Sequence, residues 1–120
     1  MIELIENIPA NVLGFEASEQ VTANDYETVL IPAVETRLKQ HDKIRMLYHL
    51  GPTFSGFTSG AMWDDAKLGL GHRKSWQKIA IVTDLDWIKS AIGLFEFIIP
   101  CPFKVFANSQ YANAISWVAS

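Results

Sequence analysis

The 120-residue chain is poor in nearly everything that announces a particular chemistry. It has one cysteine, Cys101, which excludes an intrachain disulfide and suits a reducing cytoplasm. Ten Lys and Arg stand against thirteen Asp and Glu, for a net charge of −3. The longest basic cluster is the pair Arg73-Lys74. Phosphate contacts need clustered cations, so nucleic acid is not an expected partner. The longest apolar stretch, around 91–100, is broken by Glu96 and falls far short of the roughly 20 residues of a bilayer span. Met1-Ile2-Glu3-Leu4 carries neither the basic nor the apolar segment of a secretory signal. His41, His49 and His72 lack the spacings of zinc sites, so neither a metal nor another cofactor is expected. There is no Gly-x-Ser-x-Gly turn, no internal repeat, and no linker.

What the chain does have is apolar content, 49% of its residues, enough for one core and one domain over 1–120. Short apolar runs at 12–17, 44–50, 79–82 and 103–107 are each followed by a segment of helical period. That alternation predicts an α/β fold. The expected architecture is a mixed, mostly parallel sheet of four to five strands flanked by about four helices. Residues 1–5 and 12–17 read as an opening antiparallel hairpin. Leu30, Val34 and Leu38 form one apolar row on a first helix, capped by Thr22 or Asn24 and kinked or split at Pro32. Ile79-Ala80-Ile81-Val82 is apolar on both faces, as a central parallel strand covered by helices reads. Thr83 or Asp84 is expected to cap a third helix, and Ser109 a last one.

The order of elements resembles the STAS fold of the anti-sigma-factor antagonists. Leu47-Tyr48-His49-Leu50-Gly51-Pro52, the stretch from Gly60 through Ala61-Met62-Trp63-Asp64-Asp65 to Gly69, Ile79-Ala80-Ile81-Val82-Thr83-Asp84 and Asp86-Trp87-Ile88 look like the SpoIIAA-like family of small bacterial proteins. The resemblance implies a compact mixed sheet with flanking helices and a cytoplasmic bacterial protein, and it implies no assigned activity. Antagonists carry a phosphorylatable Ser in Asp-Ser-Ser/Thr-Gly. Here Phe57-Thr58-Ser59-Gly60 keeps only Ser59-Gly60, so Ser59 is expected to serve as a helix cap and not as a phosphosite.

Two regions stand out as candidate surfaces. The loop 51–60 holds three glycines yet also Phe54 and Phe57, with Met62 and Trp63 just beyond it. Loops are usually polar. This one is expected to fold over the sheet or to line a cleft at the carboxyl ends of the strands. Phe54, Phe57, Ser59, Gly60 and Trp63 are therefore the candidate ligand-binding residues, for a small apolar or anionic ligand. On the third helix, Trp87, Ile88, Ala91, Ile92, Leu94, Phe95, Ile98 and Ile99 fill an arc of roughly 160°, wider than the roughly 100° that packing on a sheet needs. Trp87 and Leu94, with Phe97 beside the arc, are the candidate homodimer contact.

Asp64 and Asp65 are adjacent and point about 100° apart, which argues against a paired-carboxylate mechanism and for a solvated helix face. Cys101 lies between two prolines with no basic neighbour closer than Lys104, a poor setting for a reactive thiolate. The expected function is a non-enzymatic, STAS-like cytoplasmic domain that binds an unidentified protein partner or itself. A small-molecule carrier is the alternative. A small enzyme using Ser59, Asp64, Asp65 or His72 comes third.

Overall fold

Four parallel-running strands and one antiparallel edge form the sheet, in the order β1-β2-β4-β6-β7. A computed structural model describes residues 1–72, 74–90, 99 and 101–120. The strands are β1 (Ile2–Leu4), β2 (Val12–Ala17), β4 (Ile44–Leu50), β6 (Trp76–Val82) and β7 (Phe103–Phe106). β1 pairs antiparallel with β2, and β2–β4, β4–β6 and β6–β7 are parallel. β3 (Gln20–Val21) and β5 (Gly56–Phe57) make a separate two-stranded parallel bridge. The helices are α1 (Ala23–Asp25), α2 (Ile31–Leu38), α3 (Ser59–Gly71), α4 (entered over 86–90) and α5 (Tyr111–Ala119).

Period two decides which side chains face which layer. On one face of the sheet Leu13, Phe15, Met46, Tyr48, Leu50, Ile79 and Ile81 pack with Tyr26, Leu30, Val34, Leu68 and Ile88 from the helices. On the other, Val12, Leu47, Ala80, Val82 and Phe106 pack with Ala114 and Val118 of α5. β6 is thus interior, with Ile79 to Val82 buried on both faces.

One irregularity breaks this alternation. Ile44 pairs with Trp76, but Arg45 pairs with Lys78, so Gln77 is an extra residue on β6. The bulge puts Trp76 on the same side as Ile79 and Ile81, while Lys78 falls on the α5 side. There the Lys78 ammonium donates to the Trp117 carbonyl at 3.0 Å, and Arg45 donates to the Val118 carbonyl at 2.8 Å. Both cations therefore meet the negative end of α5.

Thr22 caps the first helix in a reciprocal box: Asp25 N–H donates to the Thr22 hydroxyl, and Thr22 N–H donates to the Asp25 carboxylate at 2.8 Å. Pro32 splits that helix, as expected. It does so by a wide turn and not by a kink: Tyr26–Leu30 is a π segment, and Ile31 N–H donates to the Tyr26 carbonyl. Pro32 itself has no N–H to continue the α pattern.

Two cap assignments need correction. α3 begins at Ser59, and its cap is Thr58, whose hydroxyl accepts from Ala61 N–H at 3.2 Å. Ser109 does not cap α5, and the Asp84 carboxylate accepts from Asn108 N–H at 2.9 Å, tying β6 to the 3-10 turn Asn108–Gln110 that leads into α5. Thr83 satisfies the Leu85 N–H at the approach to α4.

Candidate functional site

The face of the sheet under α2, α3 and α4 is incompletely filled. A cavity of about 150 Å³ runs over β4 and β6, lined on the sheet side by Met46, Tyr48, Leu50, Trp76, Ile79 and Ile81. Its roof is Tyr26 and Leu30 of the π segment, Met62, Asp65 and Leu68 of α3, and Trp87 and Ile88 of α4. The α3 contribution follows from helical spacing, since residues three apart share a face. Met62 is 57% exposed and Trp87 is 48% exposed, although both line the cavity, so they stand at its mouth.

Phe57 organises the aromatic wall. Its ring meets Phe54 at 4.9 Å, Tyr48 at 6.4 Å, and Tyr26 and Trp87 each at 6.5 Å, all edge to face. These separations fall in the favourable range for aromatic pairs. Gly56, which precedes Phe57, has φ +143°, a backbone angle that a side chain rarely adopts.

Among these apolar walls sits one polar chain. Tyr26 OH donates to Asp65 Oδ1 at 2.8 Å, and the Tyr26 and Tyr48 hydroxyl oxygens are 3.1 Å apart. A phenol has a single proton. With the Tyr26 proton committed to Asp65, Tyr48 must donate to Tyr26. The chain therefore points Tyr48 to Tyr26 to Asp65, and every donor in it is used. Burial pushes the Asp65 carboxyl above the ordinary carboxylate range, and the hydrogen bond from Tyr26 holds part of that rise back. Burial, then the adjacent Asp65 charge, pushes the Tyr26 phenol well above its ordinary value, and burial does the same to Tyr48. Both phenols are therefore neutral hydrogen-bonding groups at any physiological pH.

At the other end, Trp76 is buried, and its indole Nε1 has no hydrogen-bond partner among the described residues. Lys, Arg and His do not occur among the described lining residues.

The five candidate ligand residues separate. Phe57 lines the cavity. Phe54 is buried beside it as support. Gly60 is a packing position: a Cβ there would lie 3.1 Å from the Ala23 Cβ. Ser59 is exposed in the first turn of α3. Trp63 is 65% exposed on the outer side of α3, with the Lys67 ammonium 5.8 Å from its ring. Of the interface residues, Trp87 is at the cavity mouth, while Leu94 and Phe97 lie outside the described residues.

The expected solvated face of Asp64 and Asp65 is not there. Asp65 turns into the cavity, and Asp64 is buried, with Oδ1 3.4 Å from the Lys67 ammonium. Ser59 and His72 stand at opposite ends of α3, roughly 20 Å apart along its axis, too far to act on one atom. Burial pushes the Cys101 thiol up to about 11, against the opposing pull of Lys43, which agrees with an unreactive thiol.

A model of the SpoIIAA-like family matches residues 12–119. The chain belongs to the SpoIIAA-like family. Among solved structures, it is similar to an uncharacterised protein of the DUF3478 family with a SpoIIAA-like fold from Shewanella loihica PV-4, at 28% identity and a TM-score of 0.77, covering 98% of this chain and 93% of that one. A comparison with curated proteins finds no match. Among the described residues of this SpoIIAA-like chain, no helix is long and apolar enough to cross a membrane, and no group of three metal-ligating side chains converges.

The residues that matter most here were not singled out by sequence. Tyr48 sits in the apolar row of β4, where its hydroxyl is the one polar atom that must find a buried partner. Tyr26 lies just before the Pro32 break, and π turns of that kind often occur at functional sites. Those two signals were available. Trp76 carried none, because its orientation depends on the bulge at Gln77.

Proposed function

We propose that this protein is a binding domain, not an enzyme, and that it holds a small, mainly apolar, neutral molecule beneath Phe57 and Trp87. The observation that carries the reading is the 150 Å³ apolar cavity with its single buried polar chain, Tyr48–Tyr26–Asp65. Ligand sites are typically apolar hollows with a few polar groups that fix orientation. A cavity of this size accommodates a benzene-sized molecule. The lining favours a neutral ligand over an anionic one, because an anion would face Asp65 with no cation among the described lining residues to offset its desolvation. The lone cysteine supports a place in a reducing cytoplasm.

Toluene tests the cavity directly. At tenfold excess over its dissociation constant it should stabilise the folded protein by about 1.4 kcal/mol, a rise of several degrees in Tm. Leu68→Phe, which places a ring in the hollow, should fold and lose that response. A wild-type Tm indifferent to saturating toluene rejects the reading.

Self-association is the second reading. Met62 and Trp87 are large apolar side chains left exposed at the cavity mouth, with Trp63 exposed beside Met62 on the outer side of α3, and clustered apolar surface commonly marks an interface. Sedimentation at micromolar concentration should give a dimer. A species at 13.5 kDa throughout would remove this reading and leave the cavity reading intact.

A further inference from the structure

We infer that the ligand of this cavity is two-ended: it presents a hydrogen-bond donor to the Tyr48–Tyr26–Asp65 chain and a hydrogen-bond acceptor to the Trp76 indole. The inference rests on the cavity reading above and specifies its ligand class.

Each end follows from counting protons. In the tyrosine chain, both phenolic protons are spent within the chain, Tyr48 on Tyr26 and Tyr26 on Asp65. What remains free is acceptor capacity, on the Tyr48 oxygen and on the second carboxylate oxygen of Asp65. A ligand group that meets this end must donate. Trp76 offers the reverse. Its Nε1–H is donor only, it is buried, and it is without a partner among the described residues. A buried donor without a partner costs free energy that a ligand acceptor would recover.

The spacing follows from the strand register. Trp76 pairs with Ile44, and Tyr48 lies four residues further along β4 on the same face. At about 3.3 Å per residue the two positions are roughly 13 Å apart. The two polar ends thus stand toward opposite ends of the cavity floor, so the ligand's donor and acceptor are separate groups of one molecule. A single aromatic ring carrying a hydroxyl and a short carbonyl group at opposite positions presents both. It also agrees with a hollow of about 150 Å³. Compact hydroxyaryl ketones, aldehydes and amides fit these constraints. Long-chain acids do not, on volume and on charge.

Four isosteric probes test the pairing. Para-hydroxyphenyl methyl ketone has both groups, para-ethylphenol keeps only the donor, para-methylphenyl methyl ketone keeps only the acceptor, and para-ethyltoluene has neither. Affinities are measured by calorimetry, and the Trp76 indole N–H is followed by proton–nitrogen NMR. Each correctly placed group should contribute about fivefold, so the hydroxy ketone should bind roughly 25-fold tighter than the hydrocarbon. Only the two ketones should move the Trp76 indole proton downfield. Trp76→Phe should weaken both ketones about fivefold and leave para-ethylphenol unchanged. If the four probes bind equally, the two-ended ligand is overturned and the cavity reading survives. If none binds, both fail. The comparison among probes in the wild-type protein decides the matter even where Trp76→Phe does not fold.

Discussion

Val82→Asp is expected to leave no folded protein. Val82 is fully buried at the end of an interior strand, packed on the α5 side with Leu47, Ala80, Phe106 and Val118. The cations of that side are turned elsewhere: Arg45 and Lys78 donate to the carbonyls at the end of α5, and Lys104 lies over the Phe106 ring. A carboxylate there loses its hydration without gaining a partner, at a cost of several kcal/mol. The lost valine packing adds about 1.5–3 kcal/mol. Together these consume most or all of the roughly 5–15 kcal/mol that holds a small domain folded. Gln77→Asp is the control on the same strand. Gln77 is exposed in the bulge, and a surface change of this kind stays within about 0.5 kcal/mol. Circular dichroism and thermal melting should show a native melt for the second variant and none for the first. A cooperative melt of Val82→Asp near the wild-type temperature would contradict the sheet order described above.

The same residues explain why the architecture was readable. Strand faces are fixed by a period of two, and β4 keeps it, with Met46, Tyr48 and Leu50 on one core and Leu47 on the other between the partly exposed Arg45 and His49. Ile79 to Val82 breaks the alternation by being apolar throughout, which only an interior strand tolerates. Helix ends were less readable. Thr58 and Ser59 are both good caps, and nothing local says that the helix takes up one residue earlier than expected. The β3–β5 bridge is two residues on each side, too short to leave a periodic trace.

The site was legible only in part, because it is made by layers meeting. The aromatic loop of 51–60 brings Phe57 to the centre of the cavity's aromatic wall. Helical phase then misplaced the rest: α3 turns Met62, Asp65 and Leu68 inward, and that leaves Trp63 outside. Adjacent acids in a first turn read as a solvated face. Asp65 instead faces two phenols from a distant helix and strand, and no sequence spacing encodes that meeting. Trp76 depends on a single extra residue in β6.

Tyr26→Phe should be the costliest conservative change in the cavity, and its cost should depend on pH. Tyr26 is the middle of the polar chain and is fully buried. Removing its hydroxyl leaves Asp65 without its donor and Tyr48 without its acceptor, so two groups lose their partners at once, for about 2–4 kcal/mol. Tyr48→Phe removes only the end of the chain. Tyr26 still donates to Asp65, and the cost should stay near 1 kcal/mol. The sign of the pH effect follows from Asp65. Its carboxyl titrates above its unfolded value of about 3.9, so the folded state holds the proton more strongly than the unfolded chain does. Stability from this group is complete below pH ~4 and is lost as pH rises through the folded value. The Tyr26 hydrogen bond limits that rise in pKa. Without it the folded value climbs further, so the loss continues over a wider range of pH. The difference in stability between wild type and Tyr26→Phe, measured by urea unfolding, should therefore be smallest near pH 4, where only the lost hydrogen bonds count, and grow toward pH 7. Asp65→Asn, which cannot titrate, should flatten this dependence in both backgrounds. A Tyr26→Phe penalty that is the same at pH 4 and pH 7 would mean that Asp65 does not depend on Tyr26. The proton order of the chain, and the donor-seeking end of the ligand deduced from it, would then be wrong.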